Sequence, residues 1–97
     1  MNDLNSVVNI LQSVKEKLSH EYAVKEIAIF GSYVKGKQSS KSDIDILIDF
    51  WEIPSLITFM KLKYMLTDII GINVDLVMKS SLKPVIGKKI LQEAVRI

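Results

Sequence analysis

The chain has no cysteine, which excludes disulfide staples and thiolate metal sites. A single histidine excludes a multi-histidine zinc centre and leaves little room for a histidine-based triad. Only two prolines and four glycines interrupt the 97 residues, and no linker, low-complexity tract or internal repeat divides them. No apolar run is long enough for a membrane-spanning helix, so no membrane partner is expected. The opening Met1 to Asn5 has neither the basic nor the apolar region of a secretory signal, so a cytoplasmic location is expected. Charge is nearly balanced: 13 basic residues against 11 acidic ones permit an anionic ligand without demanding nucleic acid, and DNA binding is not expected. With 48% hydrophobic and 25% charged residues, disorder is excluded and one domain spanning 1–97 is expected.

Apolar residues at Leu4, Val7, Val8, Leu11, Val14 and Leu18 recur at helical spacing, with Asn2 or Asp3 available as the cap. Val24 to Phe30 is short and branched, as a buried strand is, and Gly31-Ser32 stops it. A short helical turn and a loop follow, from Tyr33 to Ser42. Asp43 to Phe50 alternates, with Asp43, Asp45, Leu47 and Asp49 on one face and Ile44, Ile46, Ile48 and Phe50 on the other. Pro54-Ser55 opens a helix that Gly71 closes. Val74 to Met78 is a third strand. Ser80 or Ser81 caps a last helix, with Pro84 in its first turn and an end near Ala94. This order, α-β-α-β-α-β-α, predicts an α/β (α+β) fold with a small mixed three-stranded sheet. The helical crossover makes the second and third strands parallel. A compact turn between the first two makes them antiparallel.

Asp43 and Asp45, at i and i+2 on a strand, point to one face and repel each other unless a cation intervenes. Hard oxygen ligands of this kind suit Mg²⁺ or Mn²⁺, shared with substrate phosphates. Gly31-Ser32 ends a strand and opens a helical turn, a place where free N–H groups and a hydroxyl favour an anion. Asp75, near the start of the parallel third strand, falls at the same end of the sheet. Three carboxylates and a phosphate cradle at one edge describe a two-metal phosphoryl-transfer site.

Gly31-Ser32, ten residues, then Asp43-Ile44-Asp45 resembles the signature of the DNA polymerase β-like nucleotidyltransferases. The closer resemblance is to the minimal nucleotidyltransferases, or MNT proteins, which pair with HEPN proteins in toxin–antitoxin modules. Gly31-Ser32-Tyr33-Val34-Lys35-Gly36 matches their GlySerXaaAlaArgGly, with valine for alanine and lysine for arginine. Lysine keeps the charge but lacks the bidentate fork. Asp43 to Ile48, Val74 to Val77, Leu82-Lys83-Pro84 and Ile90 to Val95 match the family's later motifs. The resemblance implies transfer of a nucleoside monophosphate, AMP from ATP, to an acceptor hydroxyl, a tyrosine of the HEPN partner in MNT antitoxins. It implies two Mg²⁺ or Mn²⁺ ions on Asp43, Asp45 and Asp75, with Asp75 nearest the acceptor, and Gly31, Ser32 and Lys35 around the phosphates.

Other polar residues carry blander readings. Lys37 and Lys41 belong to a solvated charge run, Asp49 lies too far along its strand, and His20 ends a helix where a cation suits the dipole. Ser39, Ser40 and Ser42 are loop formers with no base beside them. The helix from Ser55 has more apolar residues than one face needs. Leu56, Phe59, Met60, Leu66 and Ile70 form one stripe; Ile57, Leu62, Tyr64, Met65 and Ile69 spread around the rest. With Phe50, Trp51 and Ile53 ahead of it, this surplus points to an exposed patch for a partner. Alternative functions are a binding antitoxin that acts by occlusion and a small-molecule (aminoglycoside-type) nucleotidyltransferase subunit. A homo- or hetero-oligomer is left open.

Overall fold

The computed structural model describes residues 3–97, so Asn2 as an alternative first cap lies outside the described residues. Helix α1 (Leu4–Tyr22) is capped by Asp3, whose carboxylate accepts from Ser6 N–H at 2.8 Å. It buries Val7, Leu11 and Leu18 and ends at Ala23 in the left-handed region. Strand β1 (Val24–Phe30) follows, then a single helical turn, α2 (Ser32–Lys35), strand β2 (Ile44–Phe50) and helix α3 (Leu56–Ile70). Ser55 caps α3 and Gly71 closes it, as the sequence predicts. Strand β3 (Val74–Met78) leads through a 3₁₀ turn at Lys79–Ser81 into helix α4 (Pro84–Glu93) and strand β4 (Val95–Arg96).

The mixed α+β class is as expected, but the sheet has four strands rather than three, in the order β3-β2-β1-β4. β1 and β2 are antiparallel and β2 and β3 parallel. The added strand pairs antiparallel with β1 through Ala28↔Arg96 and Ile29↔Val95. It follows directly on α4, which stops at Glu93. Ser80 and Ser81 form the 3₁₀ turn instead of capping α4; the N-cap position is Lys83, and Pro84 occupies the first turn.

One face of the sheet carries the core. Ile27, Ile29, Ile44, Ile46, Ile48, Val74 and Leu76 pack against Val7, Leu11 and Leu18 of α1 and Leu62, Leu66 and Ile70 of α3. The buried side of α3 is therefore centred on Leu62, Leu66 and Ile70, with Leu56 exposed, a rotation from the predicted stripe. Phe50 is also buried, edge-on to Phe59, so it leaves the exposed patch, whereas Trp51, Ile53, Leu56, Ile57 and Tyr64 stay in it.

The opposite face is covered only in part. β3 and β4 are the two edge strands, and α4 joins them over this face. Its Leu91 and the adjoining Ala94 lie over Ala28 and Leu47 around a small cavity of about 20 Å³. This leaves the end of the face nearest Phe30 and Ile44 open.

Candidate active site

The open end is defined by a row across three strands. Phe30 pairs with Asp45, and Asp45 pairs with Asp75. Partners in register share a face, so the two carboxylates stand side by side with the Phe30 ring flanking Asp45. Asp43, just ahead of β2, is exposed at the sheet end, Asp45 is half-buried and Asp75 is exposed on the edge strand.

Burial pushes the Asp45 carboxyl above the usual carboxylate range. The Asp75 carboxylate raises it further through its charge and a shared hydrogen bond, and Asp43 adds its charge. None of the ion pairs among the described residues involves Asp43, Asp45 or Asp75. Nor do any three His, Cys, Asp or Glu side chains among the described residues close into a metal cage. The donors present are hard oxygens at an uncompensated negative site, open on one side. That set fits Mg²⁺ or Mn²⁺ completed by substrate phosphate oxygens.

Gly31 adjoins this row for a steric reason. Its φ of 78° and ψ of −149° belong to a region that only glycine occupies readily. A Cβ built there would overlap Asp45 Oδ2 and sit 3.0 Å from its Cγ. Only glycine therefore lets the chain pass this close to the carboxylate. Ser32, half-buried, begins α2, whose internal hydrogen bonds run from Val34 and Lys35 N–H to Gly31 O. Gly31, Ser32, Asp43, Asp45 and Asp75 are all at one end of the sheet.

Lys35 reaches this end too, but its ammonium is 3.3 Å from the Glu93 carboxylate of α4. Sequence reasoning missed Glu93 and Phe30. Phe30 was visible as the residue before Gly31; Glu93 lies inside the Ile90 to Val95 motif, but its pairing with Lys35 arises only in the folded chain.

Beside Asp43 opens a polar cleft of about 510 Å³ between the 38–42 loop and the turn at 71–73, with Tyr33 in its wall. The loop serines bond one another: Ser39 N–H donates to Ser42 Oγ at 2.8 Å and Lys41 N–H to Ser39 Oγ at 3.3 Å. They are turn formers, as expected. Asp49 lies on the same face but farther along, where its carboxylate accepts from Phe50 N–H at 3.0 Å. His20 is exposed in the last turn of α1.

A model of the nucleotidyltransferase domain matches residues 8–97. The chain belongs to the nucleotidyltransferase domain family. It is 48% identical over 94 residues to the protein adenylyltransferase MntA of Thermococcus cleftensis, covering 97% of this chain and 95% of that one. A solved minimal nucleotidyltransferase superposes with a TM-score of 0.82 at 28% identity, covering 98% of this chain and 96% of the other. A chain from a toxin–antitoxin crystal structure with AMP-PNP gives 0.70 at 25% identity, covering 95% of this chain and 69% of its own. The chain therefore carries its family's fold, with the candidate site on the open end of β1, β2 and β3.

Proposed function

We propose that this nucleotidyltransferase adenylylates a protein: it transfers AMP from ATP to a tyrosine hydroxyl of a HEPN-type toxin and thereby acts as its antitoxin. The observation that carries the reading is the Asp45–Asp75 pair, two carboxylates in register across neighbouring strands with no cation partner among the described residues. Similarity to MntA supports AMP as the transferred group and protein as the acceptor. Similarity to the chain solved in a toxin–antitoxin structure with AMP-PNP supports an adenine nucleotide and the antitoxin role.

Asp43, Asp45 and Asp75 would hold two Mg²⁺ or Mn²⁺ ions, which when bound neutralise triphosphate charge and ease ionisation of the attacking hydroxyl. The chain's own groups do the rest. The lack of a side chain at Gly31 leaves room for the Asp45 carboxylate, and Ser32 offers its hydroxyl to the β- and γ-phosphates. Lys35 adds charge there by giving up Glu93, an exchange that costs little because the pair is solvent-exposed. Asp75, exposed on an edge strand, is open to an acceptor arriving from outside and can receive its proton. The acceptor oxygen bonds to the α-phosphorus, the bond from that phosphorus to the bridging oxygen breaks, and pyrophosphate leaves.

The test is transfer of label from [α-³²P]ATP to a cognate HEPN toxin with Mg²⁺ or Mn²⁺ present. Label should appear on a toxin tyrosine and be lost in the Asp43→Ala/Asp45→Ala variant. Neutralisation of the toxin without any covalent label would replace this reading with occlusion. Label on an aminoglycoside and none on the toxin would replace it with a small-molecule activity.

A further inference from the structure

We infer that the outer face of α4 is the docking surface for the protein that receives the nucleotide, and that this protein meets it with an apolar centre and a carboxylate rim. The inference rests on the protein-acceptor reading above.

Helix α4 lies across the catalytic face of the sheet. It buries Gly87 and brings Leu91, itself 43% exposed, beside Leu47, which leaves Val85 85% exposed and Ile86 58% exposed on its outer side. Two branched apolar side chains in water are a local cost unless something covers them. Lys83, Lys88 and Lys89 surround them, all exposed, and none is in an ion pair among the described residues. An apolar centre inside a cationic rim calls for a partner with apolar residues inside an anionic rim.

Position adds the second argument. Ile86, Lys89 and Glu93 follow one another at i, i+3 and i+7, along one line of the helix. That line ends at Glu93, which holds Lys35 beside the Gly31-Ser32 turn. From Ile86 to Glu93 is about 10 Å at the helical rise of ~1.5 Å per residue. One interface of ordinary size, on the order of 800 Å² per partner, spans that distance and reaches the open row of carboxylates. The Trp51 patch is placed differently. It begins where β2 ends, about 20 Å from Asp45 at ~3.3 Å per strand residue, at the opposite end of the sheet. Its indole is already faced by the Lys25 ammonium, 4.7 Å from the ring centroid.

A nucleic acid would also be attracted by three lysines. It would place phosphates on them and bases on an aromatic platform. α4 has no aromatic residue, and its centre is aliphatic.

The experiment uses the full chain, a cognate HEPN toxin and three variants: Val85→Ser/Ile86→Ser, Lys88→Glu/Lys89→Glu, and Trp51→Ser/Ile57→Ser as the comparison. All substituted side chains are exposed, and thermal melting checks that each variant is folded. Both α4 variants should raise KM for the toxin at least about tenfold, the scale of an interface anchor, with ATP affinity unchanged. The lysine variant should also flatten the salt dependence of toxin association. Transfer at the wild-type KM in both α4 variants overturns the inference. So does loss of transfer in the Trp51/Ile57 variant alone, or binding of a single-stranded oligoribonucleotide that the lysine variant abolishes while toxin transfer persists. If the wild-type protein labels no toxin at all, the protein-acceptor reading itself fails, and that result is distinct from each of these.

Discussion

A carboxylate that is half-buried beside two others stays ionised only against desolvation and repulsion. For Asp45 both effects act in one direction, and the lack of a side chain at Gly31 leaves its Oδ2 the room that a Cβ would take. The consequence for stability follows from the sign of the shift. A folded pKa raised above the unfolded one means that the folded state holds the proton more tightly. The contribution is then fully present below the unfolded pKa and is lost as pH rises through the folded one. Metal-free protein should therefore lose stability as pH rises from the ordinary carboxylate range to just above it. Asp45→Asn, which has no charge to desolvate, should melt above wild type near neutral pH in EDTA. The difference should close on acidification to about pH 4, near the ordinary carboxylate value. Melting curves across that range decide the matter; an Asp45→Asn protein that melts well below wild type at neutral pH would mean that the carboxylate is structural. At this scale the sequence was informative. The Asp43/Asp45 alternation and the Gly31-Ser32 stop are local patterns, and the structure brings both to one edge. It could not reveal that a Cβ at position 31 would collide with Asp45, since that requires the β1–β2 register.

Elements with their own punctuation were readable in advance. β1, β2 and β3 and both ends of α3 fall where branched runs, Ser55 and Gly71 put them. The Ser55 cap gives a direct check: its Oγ accepts from Thr58 N–H at 3.2 Å and donates to Thr58 Oγ1 at 3.1 Å. Ser55→Ala should destabilise the fold by about 1 kcal/mol, read from denaturant midpoints at unchanged slope, with catalysis unaffected. No change in midpoint would mean that packing of Leu62, Leu66 and Ile70 alone sets the start of α3. The misses share a different cause. α3 is apolar on most sides, so periodicity could not choose between Leu56 and Leu62 as the buried position. β4 is two residues long and has no turn residue before it. It is a strand because the free edge of β1 accepts it, and Ile97 N–H donates to Ile27 O at 3.0 Å as the pairing ends. Such a strand is decided by the sheet rather than by its own residues.

At the scale of the molecule, the four strands and four helices of the described residues must supply the core and also support an edge whose carboxylates repel one another. Among the described residues, the buried apolar side chains gather on the helical face, with Tyr33 of α2 joined to them and Leu47 under α4, and the row from Phe30 to Asp75 adds little to this core. Binding at that edge is therefore linked directly to folding. A ligand that binds only the native state adds RT ln(1 + [L]/Kd), about 2.7 kcal/mol at a hundredfold excess over Kd. For a domain near this size, 1 kcal/mol moves Tm by roughly 4–8 °C. ATP with Mg²⁺ or Mn²⁺ at saturation should therefore raise Tm by on the order of 10 °C. Neither metal nor nucleotide alone should do as much, because the open site takes part of its coordination from phosphate oxygens. In the Asp43→Ala/Asp45→Ala variant the shift should vanish, although the metal-free variant itself melts no lower than wild type. Scanning calorimetry with each component added singly and together separates these outcomes. An equal shift in the double variant would place the nucleotide away from the carboxylates. A large shift with metal alone would mean that the protein closes a cage around the ion without help from substrate.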